Sequence, residues 1–237
     1  MSSTTLRVRV KEDVSRGGVG VESDRSALLL YGAGGHGVAV VNVLLDDLPA
    51  LLAGVIDEHA PQLPSHVLGV PLLGGYEVLP DLLRQGVQRV HVAIGDNHER
   101  QERVAQLTAM GFVLTSVISS RSYIGYATNV GDGSFVHAFA QVGAECQIGR
   151  GCIIQGHTTV AHGSVLGDYV QMASGVNVAG NCQLDNGVFL GLGAAVLPRV
   201  RIGRNAVIGA NAVVREDVPD NAVVVGNPGR VIKIKPH

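Results

Sequence analysis

The chain has 237 residues, of which 46% are hydrophobic and only 16% are charged, with 32 glycines and no tryptophan. This length and apolar content allow one large or two small domains with a packed core, and they exclude an intrinsically disordered chain. A formal net charge of −2 provides no basic surface, so we expect neither nucleic acid nor a membrane as a partner.

The first 26 residues are polar and charged, and they contain no apolar signal-peptide core. No later segment approaches the roughly 18 uninterrupted apolar residues of a membrane-spanning helix. The three cysteines, at positions 146, 152 and 182, fit neither a disulfide framework nor the usual zinc spacing. We therefore expect a cytoplasmic protein without a bound metal, in which residues 1–26 form a disordered or loosely attached arm.

Residues 27–117 alternate between strand and helix patterns that are joined by short loops. The predicted elements are strand Ala27–Tyr31, helix Val38–Leu48, strand Gly54–Asp57, helix Tyr76–Arg84, strand Val87–Ile94, helix His98–Met110 and strand Phe112–Val117. This alternation predicts an α/β domain, a small parallel sheet covered by helices.

A glycine-rich turn, Gly32-Ala-Gly-Gly-His-Gly37, separates the first predicted strand from the first helix and matches G-x-G-x-x-G. Amide groups at the start of such a helix hold a phosphate or pyrophosphate. About ninety residues amount to half of a full dinucleotide-binding fold, which favours a mononucleotide or nucleotide sugar over a nicotinamide cofactor. A glycine-rich turn without a ligand is the alternative.

Residues 118–218 contain an unbroken six-residue repeat. Every sixth residue from Ile118 to Val214 is apolar, and the residue four places after each, from Ser122 to Val218, is small or valine. Period six fits neither a helix nor a simple strand, and it predicts a triangular solenoid in which residues i and i+18 stack about 4.8 Å apart. All three cysteines occupy the small inward position, where we expect core packing. Glycine follows the apolar position in eight hexads, where we expect it to provide the φ of a sharp corner.

The repeat resembles the left-handed parallel β-helix of hexapeptide-repeat acyltransferases, and residues 219–237 resemble the C-terminal tail of that family. The resemblance implies a homotrimer that binds acyl-coenzyme A in clefts between neighbouring prisms. Both halves together resemble bacterial sugar acetyltransferases in which a Rossmann-like sugar-nucleotide domain, here residues 27–117, precedes the β-helix. That group includes the bacillosamine and perosamine N-acetyltransferases and sialic acid O-acetyltransferase-like enzymes. The matching segments are Tyr31–Gly37, Val55–Glu58, Ala93–Arg100 and Val160–Tyr169.

The resemblance implies three groups of site residues. Those expected to bind the nucleotide sugar are Gly34, Gly35, His36, Gly37, Asp57, Glu58, Asp96 and Asn97, with Gln155 near the acceptor sugar. Those expected to bind acetyl-CoA are Gly180, Leu192 and Ala210. His162 corresponds to the catalytic base of the family, with His157 as the alternative.

Acetyl transfer from a thioester requires a base for the attacking group and a donor for the developing oxyanion. Histidine suits the first role because its reference pKa is about 6.5. In the predicted register Gly180 lies one coil after His162, so it leaves space beside the imidazole, and its N–H is the predicted oxyanion donor. Relatives often place an acidic residue after the base, whereas Gly163 follows it here. We hypothesise that Glu145, one coil before Gly163, reaches toward His162 instead.

These features predict an acetyl-CoA-dependent N-acetyltransferase that acts on a nucleotide-linked 4-amino-4,6-dideoxy sugar by direct transfer. One alternative is O-acetylation of sialic acid or a related sugar. The other is a non-catalytic, sugar-nucleotide-binding trimeric scaffold, which is suggested by Gly163 and by Gln171 in place of a second histidine of some relatives. Coenzyme A binding distinguishes the scaffold from either enzyme, because a bound ligand stabilises the fold.

Overall fold

The computed structural model describes residues 27–48 and 51–236, so the predicted arm at residues 1–26 lies outside the described residues. The N-terminal domain contains strands β1 Leu28–Tyr31, β2 Leu52–Ile56, β3 His66–Val67, β4 Val70–Pro71, β5 Arg89–Val92 and β6 Val113–Leu114. Its helices are α1 Gly35–Asp47, α2 Leu79–Arg84 and α3 Asn97–Ala109. The predicted alternation is confirmed, with boundaries that differ by a few residues.

The four principal strands form a parallel sheet in the order β2-β1-β5-β6. Strand β1 lies at the centre because all four of its residues are apolar or aromatic and buried. The direction of winding reverses between β1 and β5, since β2 lies on one side of β1 and β5 on the other. Ligands of open parallel sheets bind outside the carboxyl ends of the strands at such a reversal. The glycine-rich turn after β1 is at this position.

The C-terminal half is a left-handed β-helix of about six coils, as predicted. Its two-residue strands are β7 Val117–Ile118, β8 Tyr123–Ile124, β9 Asn129–Val130, β10 Phe135–Val136, β11 Gln141–Val142, β12 Gln147–Ile148, β13 Ile153–Ile154, β14 Thr159–Val160, β15 Val165–Leu166, β16 Gln171–Met172, β17 Asn177–Val178, β18 Gln183–Leu184, β19 Phe189–Leu190, β20 Ala195–Val196, β21 Arg201–Ile202, β22 Val207–Ile208 and β23 Val213–Val214. The hairpin β24 Ala222–Val225 and β25 Arg230–Ile234 follows them.

The strands stack into three parallel sheets, which are the faces of a triangular prism. The first face contains β7, β10, β13, β16, β19 and β22, followed by the hairpin; the second contains β8 and every third strand to β23; the third contains β9 and every third strand to β21. Strand β10 pairs with β13 so that Phe135 lies opposite Ile153, a separation of 18 residues. The predicted register of the coils is therefore confirmed.

The prism core consists of the two inward positions of each hexad. All of these side chains are buried except Ile124 and Ser122 in the first coil, which are partly exposed. Cys146, Cys152 and Cys182 are buried in this core, as expected from their small size and apolar character.

The explanation predicted for the glycines after the apolar position is wrong. None of these eight glycines has a positive φ; the left-handed residue occurs two places later, in fifteen consecutive hexads from Ala127 to Asn211. The glycines are required by the close approach of successive coils instead. A Cβ atom on Gly131 would lie 2.6 Å from the carbonyl carbon of Gly149. This contact is too short, and the backbone of the next coil cannot shift to lengthen it.

The N-terminal domain packs on the first face of the prism. Phe135 and Ile153, which point outward from that face, are buried in one cluster with Val40 and Leu44 of α1. At the end of α1, the Asp47 carboxylate accepts hydrogen bonds from the backbone and side chain of Ser120. The first face is thus covered by its own N-terminal domain over the early coils. Within the described ranges, no helix is both long and apolar enough to cross a membrane.

Candidate active site

The glycine-rich turn leaves an open space at the start of α1. The Gly32 N–H donates to the Ile56 carbonyl at 2.8 Å, and Gly32 has a φ of 112°, which only glycine adopts readily. A Cβ atom on Gly37 would collide with the Gly32 carbonyl oxygen. By contrast, Cβ atoms on Gly34 and Gly35 would meet no atom within 4 Å. Gly32 and Gly37 therefore shape the turn, while Gly34 and Gly35 keep the helix start accessible.

This helix start attracts anions because it lacks an internal cap. Gly34 is the N-cap residue and has no side chain to accept a hydrogen bond, and the first turn contains no acidic residue. The first amides of α1 consequently keep their unpaired N–H groups and the positive end of the helix dipole. Such a terminus binds phosphate groups.

The two acidic residues after β2, Asp57 and Glu58, accept hydrogen bonds from the glycine-rich turn and from the strand that precedes it. Asp57 Oδ2 accepts the N–H of Ala33 at 2.8 Å, and its Oδ1 accepts the N–H of His59 at 2.9 Å. Glu58 Oε1 lies 2.7 Å from the Arg103 guanidinium and accepts the Tyr31 hydroxyl at 3.1 Å. Asp57 thus contacts the glycine turn and Glu58 contacts Tyr31, the residue before it, and each carboxylate is already engaged by the protein.

Asp96 and Asn97 lie at the start of α3. They face the glycine-rich turn across the crevice between the carboxyl ends of β1 and β5. Asp96 caps the helix through a hydrogen bond from the Glu99 N–H to its carboxylate at 2.9 Å. The Asn97 amide donates to the Gly187 carbonyl of the prism at 3.1 Å, and its oxygen accepts from Arg100 at 2.5 Å. These contacts connect the carboxyl end of β5 to the β-helix, a link that the sequence did not indicate.

The His36 side chain points away from the open turn and toward the prism. Its ring packs edge-on against Phe135, with 5.1 Å between centroids, and both of its nitrogens are buried without a hydrogen-bond partner among the described residues. Burial is the main cause that lowers the pKa of His36 to about 3, assisted by His91, Arg100 and His137. The ring is therefore neutral, and His36 can offer a phosphate only its backbone.

His162 lies on the opposite side of the prism, at the edge between the second and third faces. It is exposed in the corner between β14 and β15. A Cβ atom on Gly180 would lie 2.9 Å from both Cε1 and Nε2 of the imidazole, so the ring rests directly over that glycine. No hydrogen bond in the described part of the chain uses the Gly180 N–H. The structure therefore brings His162 and Gly180 together with the space that the register predicts.

The surroundings of Gly163 differ from expectation. Gly163 has a φ of 66°, and a Cβ atom there would lie 2.5 Å from Oδ1 of Asn181. The side chain of Asn181, in the next coil, therefore occupies the space beside Gly163. Glu145 is exposed and forms no ion pair with His162 among the described residues. Its orienting role stays a hypothesis. His157 stacks on Phe139, with 5.4 Å between ring centroids.

The remaining predicted residues lie on or beside the first face. Gln155 follows β13 on that face, and Leu192 and Ala210 are exposed one coil apart at the edge between the first and second faces. A cleft of about 810 Å³ also lies between the first face and the start of α3. Its lining includes Asp96, Asn97, Gln171, Asn186 and Phe189.

Neither a metal centre nor a reactive thiol is evident in the described ranges. These ranges contain no group of three or more His, Cys, Asp or Glu residues that could hold a metal ion. Burial raises the pKa of the Cys152 thiol to about 12, and it also raises the pKa values of Cys146 and Cys182. A cysteine nucleophile needs a lowered pKa, so these thiols are poor candidates for acyl transfer.

Comparisons with known proteins match both halves. Residues 27–107 match the family described as the PglD N-terminal domain, and residues 127–162 match the bacterial transferase hexapeptide repeats. The chain is 27% identical to GDP-perosamine N-acetyltransferase of Escherichia coli, over 87% of this chain and 96% of that protein. A match to serine acetyltransferase of Synechococcus elongatus, at 38% identity, spans only 41% of the length of that relative.

Solved structures show the same two-domain arrangement. A histidine-to-asparagine mutant of perosamine N-acetyltransferase from Caulobacter crescentus, in complex with CoA and GDP-perosamine, superposes with a TM-score of 0.83 at 32% identity. That match covers 88% of this chain and 97% of the other. The acetyltransferase domain of PglB from Neisseria gonorrhoeae, in complex with acetyl coenzyme A, superposes with a TM-score of 0.80 at 28% identity and covers 87% and 98%.

Proposed function

We propose a function from the premise that this chain belongs to the family of bacterial sugar acetyltransferases with a Rossmann-like sugar-nucleotide domain before a left-handed β-helix. It transfers the acetyl group of acetyl-CoA to the amino group of a nucleotide-linked 4-amino-4,6-dideoxy sugar. One combination of features supports this proposal. The helix start of the N-terminal domain is uncapped and open, and in the β-helix the His162 ring lies directly beside Gly180.

The N-terminal domain binds the nucleotide sugar. Its diphosphate lies against the amides of Gly34, Gly35, His36 and Gly37, where the turn is open and the helix dipole is unpaired. Asp57 and Glu58 hold the turn in shape from the β2 side, and Asp96 and Asn97 hold the opposite wall. Gln155, on the adjacent prism face, contacts the acceptor sugar.

Transfer takes place directly, in a ternary complex. The sugar amine attacks the thioester carbonyl of acetyl-CoA while Nε2 of His162 takes one of its protons. The carbonyl oxygen becomes negatively charged, and the free N–H of Gly180 donates to it. Collapse of this intermediate forms the amide, breaks the carbon–sulfur bond and releases the coenzyme A thiol, which recovers the proton from His162. Leu192 and Ala210 line the coenzyme groove.

We also propose that the active chain is a homotrimer. His162 lies at the prism edge opposite the first face, whereas the nucleotide domain of the same chain covers that first face. A nucleotide sugar bound to one chain therefore reaches the His162 of a neighbouring chain. The second face supports this contact because all of its outward strand residues are uncharged, namely Tyr123, Gln141, Thr159, Asn177, Ala195 and Val213.

The test is release of free coenzyme A thiol from acetyl-CoA by the purified chain, with UDP-, GDP- and TDP-linked 4-amino sugars and sialic acid as acceptors. We expect release with one nucleotide-linked amino sugar, loss of at least about a hundredfold in H162A, and near wild-type turnover in H157A as the matched control. Release with sialic acid alone would establish O-acetylation instead. Coenzyme A binding without any turnover would contradict the proposed acceptor class, and absence of binding would favour the scaffold.

A further inference from the structure

Arg100 is the largest fully buried side chain of the described residues, with 1% of its surface exposed. It lies on the first turn of α3 and points to the junction of the two domains. Its Nε donates to the Gly151 carbonyl of the prism at 2.8 Å, and one terminal nitrogen lies 3.5 Å from the Tyr169 carbonyl. Arg100 therefore joins the nucleotide domain to two successive coils.

The same guanidinium holds the loop that follows β5. Nη1 donates to the carbonyls of Ile94 at 2.9 Å, Gly95 at 3.1 Å and Asp96 at 3.3 Å. Nη2 donates to the Asn97 side-chain oxygen at 2.5 Å. Because this loop faces the glycine turn across the crevice between β1 and β5, Arg100 sets the position of one wall of the nucleotide site.

All of these acceptors are uncharged. No carboxylate of the described chain lies within 4 Å of the guanidinium, although burying an unpaired charge is costly. Burial lowers the pKa of Arg100 to about 10, so the side chain stays protonated at neutral pH. The hydrogen bonds satisfy its donors, but its charge forms no ion pair among the described residues.

The nearby carboxylates make their closest contacts with other groups, and none forms an ion pair with Arg100 among the described residues. Asp57 binds backbone amides, Glu58 pairs with Arg103, and Asp96 caps α3. After burial and His91, Arg100 also contributes to the lowered pKa of His36, whose ring lies at the domain junction beside Phe135. The uncapped start of α1 adds a partial positive charge on the other side of the crevice. The buried guanidinium and the uncapped helix start are therefore two positive elements on opposite sides of the crevice, and each attracts a dianion that binds between them.

We propose that Arg100 is a positioning residue of the nucleotide site, and that the diphosphate of the bound nucleotide sugar balances its buried charge without touching it. This inference rests on the proposed function. It assigns to Arg100 a role in diphosphate recognition that is separate from its structural role between the domains. Arginine is needed here because lysine cannot direct donors to the loop and to Gly151 at the same time.

The experiment compares GDP with guanosine, UDP with uridine, and TDP with thymidine, by calorimetric titration of the full chain. In R100Q we expect at least about a tenfold loss of affinity for the diphosphate that the wild type binds, while its nucleoside binds within about threefold of wild type. The KM for the nucleotide sugar should rise by a similar factor, with the KM for acetyl-CoA unchanged. The matched control is R84Q, which removes an exposed charge from α2 and should match wild type throughout.

Equal losses for diphosphate and nucleoside in R100Q would show a purely structural role and overturn the inference. Wild-type affinity for both would overturn it too. If R100Q is not recovered folded, R100K gives the decision: it retains the charge, so its ratio of diphosphate to nucleoside affinity should stay within about threefold of wild type, and a selective loss of diphosphate affinity would refute the charge balance. Failure of the wild type to bind any of the three diphosphates would overturn the proposed function as well, which distinguishes the two failures.

Discussion

Substitution of Gly180 by alanine tests the central contact of the proposed chemistry. The new Cβ atom would lie 2.9 Å from Nε2 and Cε1 of His162, whereas an unstrained contact needs about 3.5 Å. The imidazole must therefore retreat by roughly 0.6 Å, which exceeds the tolerance of about 0.5 Å for a catalytic group. Because a displacement of about 1 Å lowers rates by about a hundredfold, we expect kcat to fall between tenfold and a hundredfold in G180A.

The backbone at this position accepts alanine without strain. Gly180 does not have a positive φ, and the equivalent position two coils earlier is Ala144. We therefore expect the free energy of unfolding to change by less than about 1 kcal/mol, measured by thermal denaturation. The loss of activity in G180A should therefore result from the contact with His162 alone. The thiol-release assay at saturating acetyl-CoA measures this loss.

A double-mutant cycle provides the control. In an H162A background the alanine at position 180 meets no ring, so H162A and H162A/G180A should be equally impaired. Full kcat in G180A would refute the role assigned to this contact. An equal loss from G180A with and without His162 would show that the glycine acts independently of the histidine.

Three further predictions follow from the same geometry. G37A should lower the free energy of unfolding by more than about 2 kcal/mol and abolish nucleotide binding, since its Cβ atom collides with the Gly32 carbonyl; wild-type calorimetry would contradict this. Burial lowers the pKa of His36 to about 3 and of His91 to about 4, so stability should be complete above about pH 6.5 and fall as pH decreases toward 4, because only the unfolded chain takes up these protons. Chemical denaturation across this range tests the slope, which should be shallower in H91F. E145Q should alter the pH profile of turnover if that carboxylate orients the proposed base, and an unchanged profile would dismiss the hypothesis.

The fold was largely predictable because both halves carry local signals. In the solenoid, each residue faces inward or outward according to its place in the hexad, so one period specifies strands, corners and the 18-residue register. In the N-terminal domain, buried strands and the glycine turn predicted a parallel sheet with the turn at the end of β1. The predicted strand Phe112–Val117 is longer than β6, because Val117 already belongs to the first coil of the β-helix.

The glycines after the apolar positions show where a local argument fails. Their number suggested corners with special φ angles, but the left-handed residues include Phe139, His157 and Tyr169 instead. The glycines are needed for contact with the next coil, 18 residues away. A distance between coils is a tertiary quantity, which the propensity of a single residue does not express.

The sequence by itself determined the two-domain organisation, the register that stacks Gly180 against His162, and the open turn at Gly34 and Gly35, since each follows from short-range periodicity. Only the tertiary structure decided that the His36 ring turns into the domain junction and that Arg100 is buried there. It also placed His162 at the prism edge opposite the nucleotide domain. These outcomes depend on how the sheet of one domain docks on a face of the other. Docking is set by side chains far apart in the chain, so no local pattern records it.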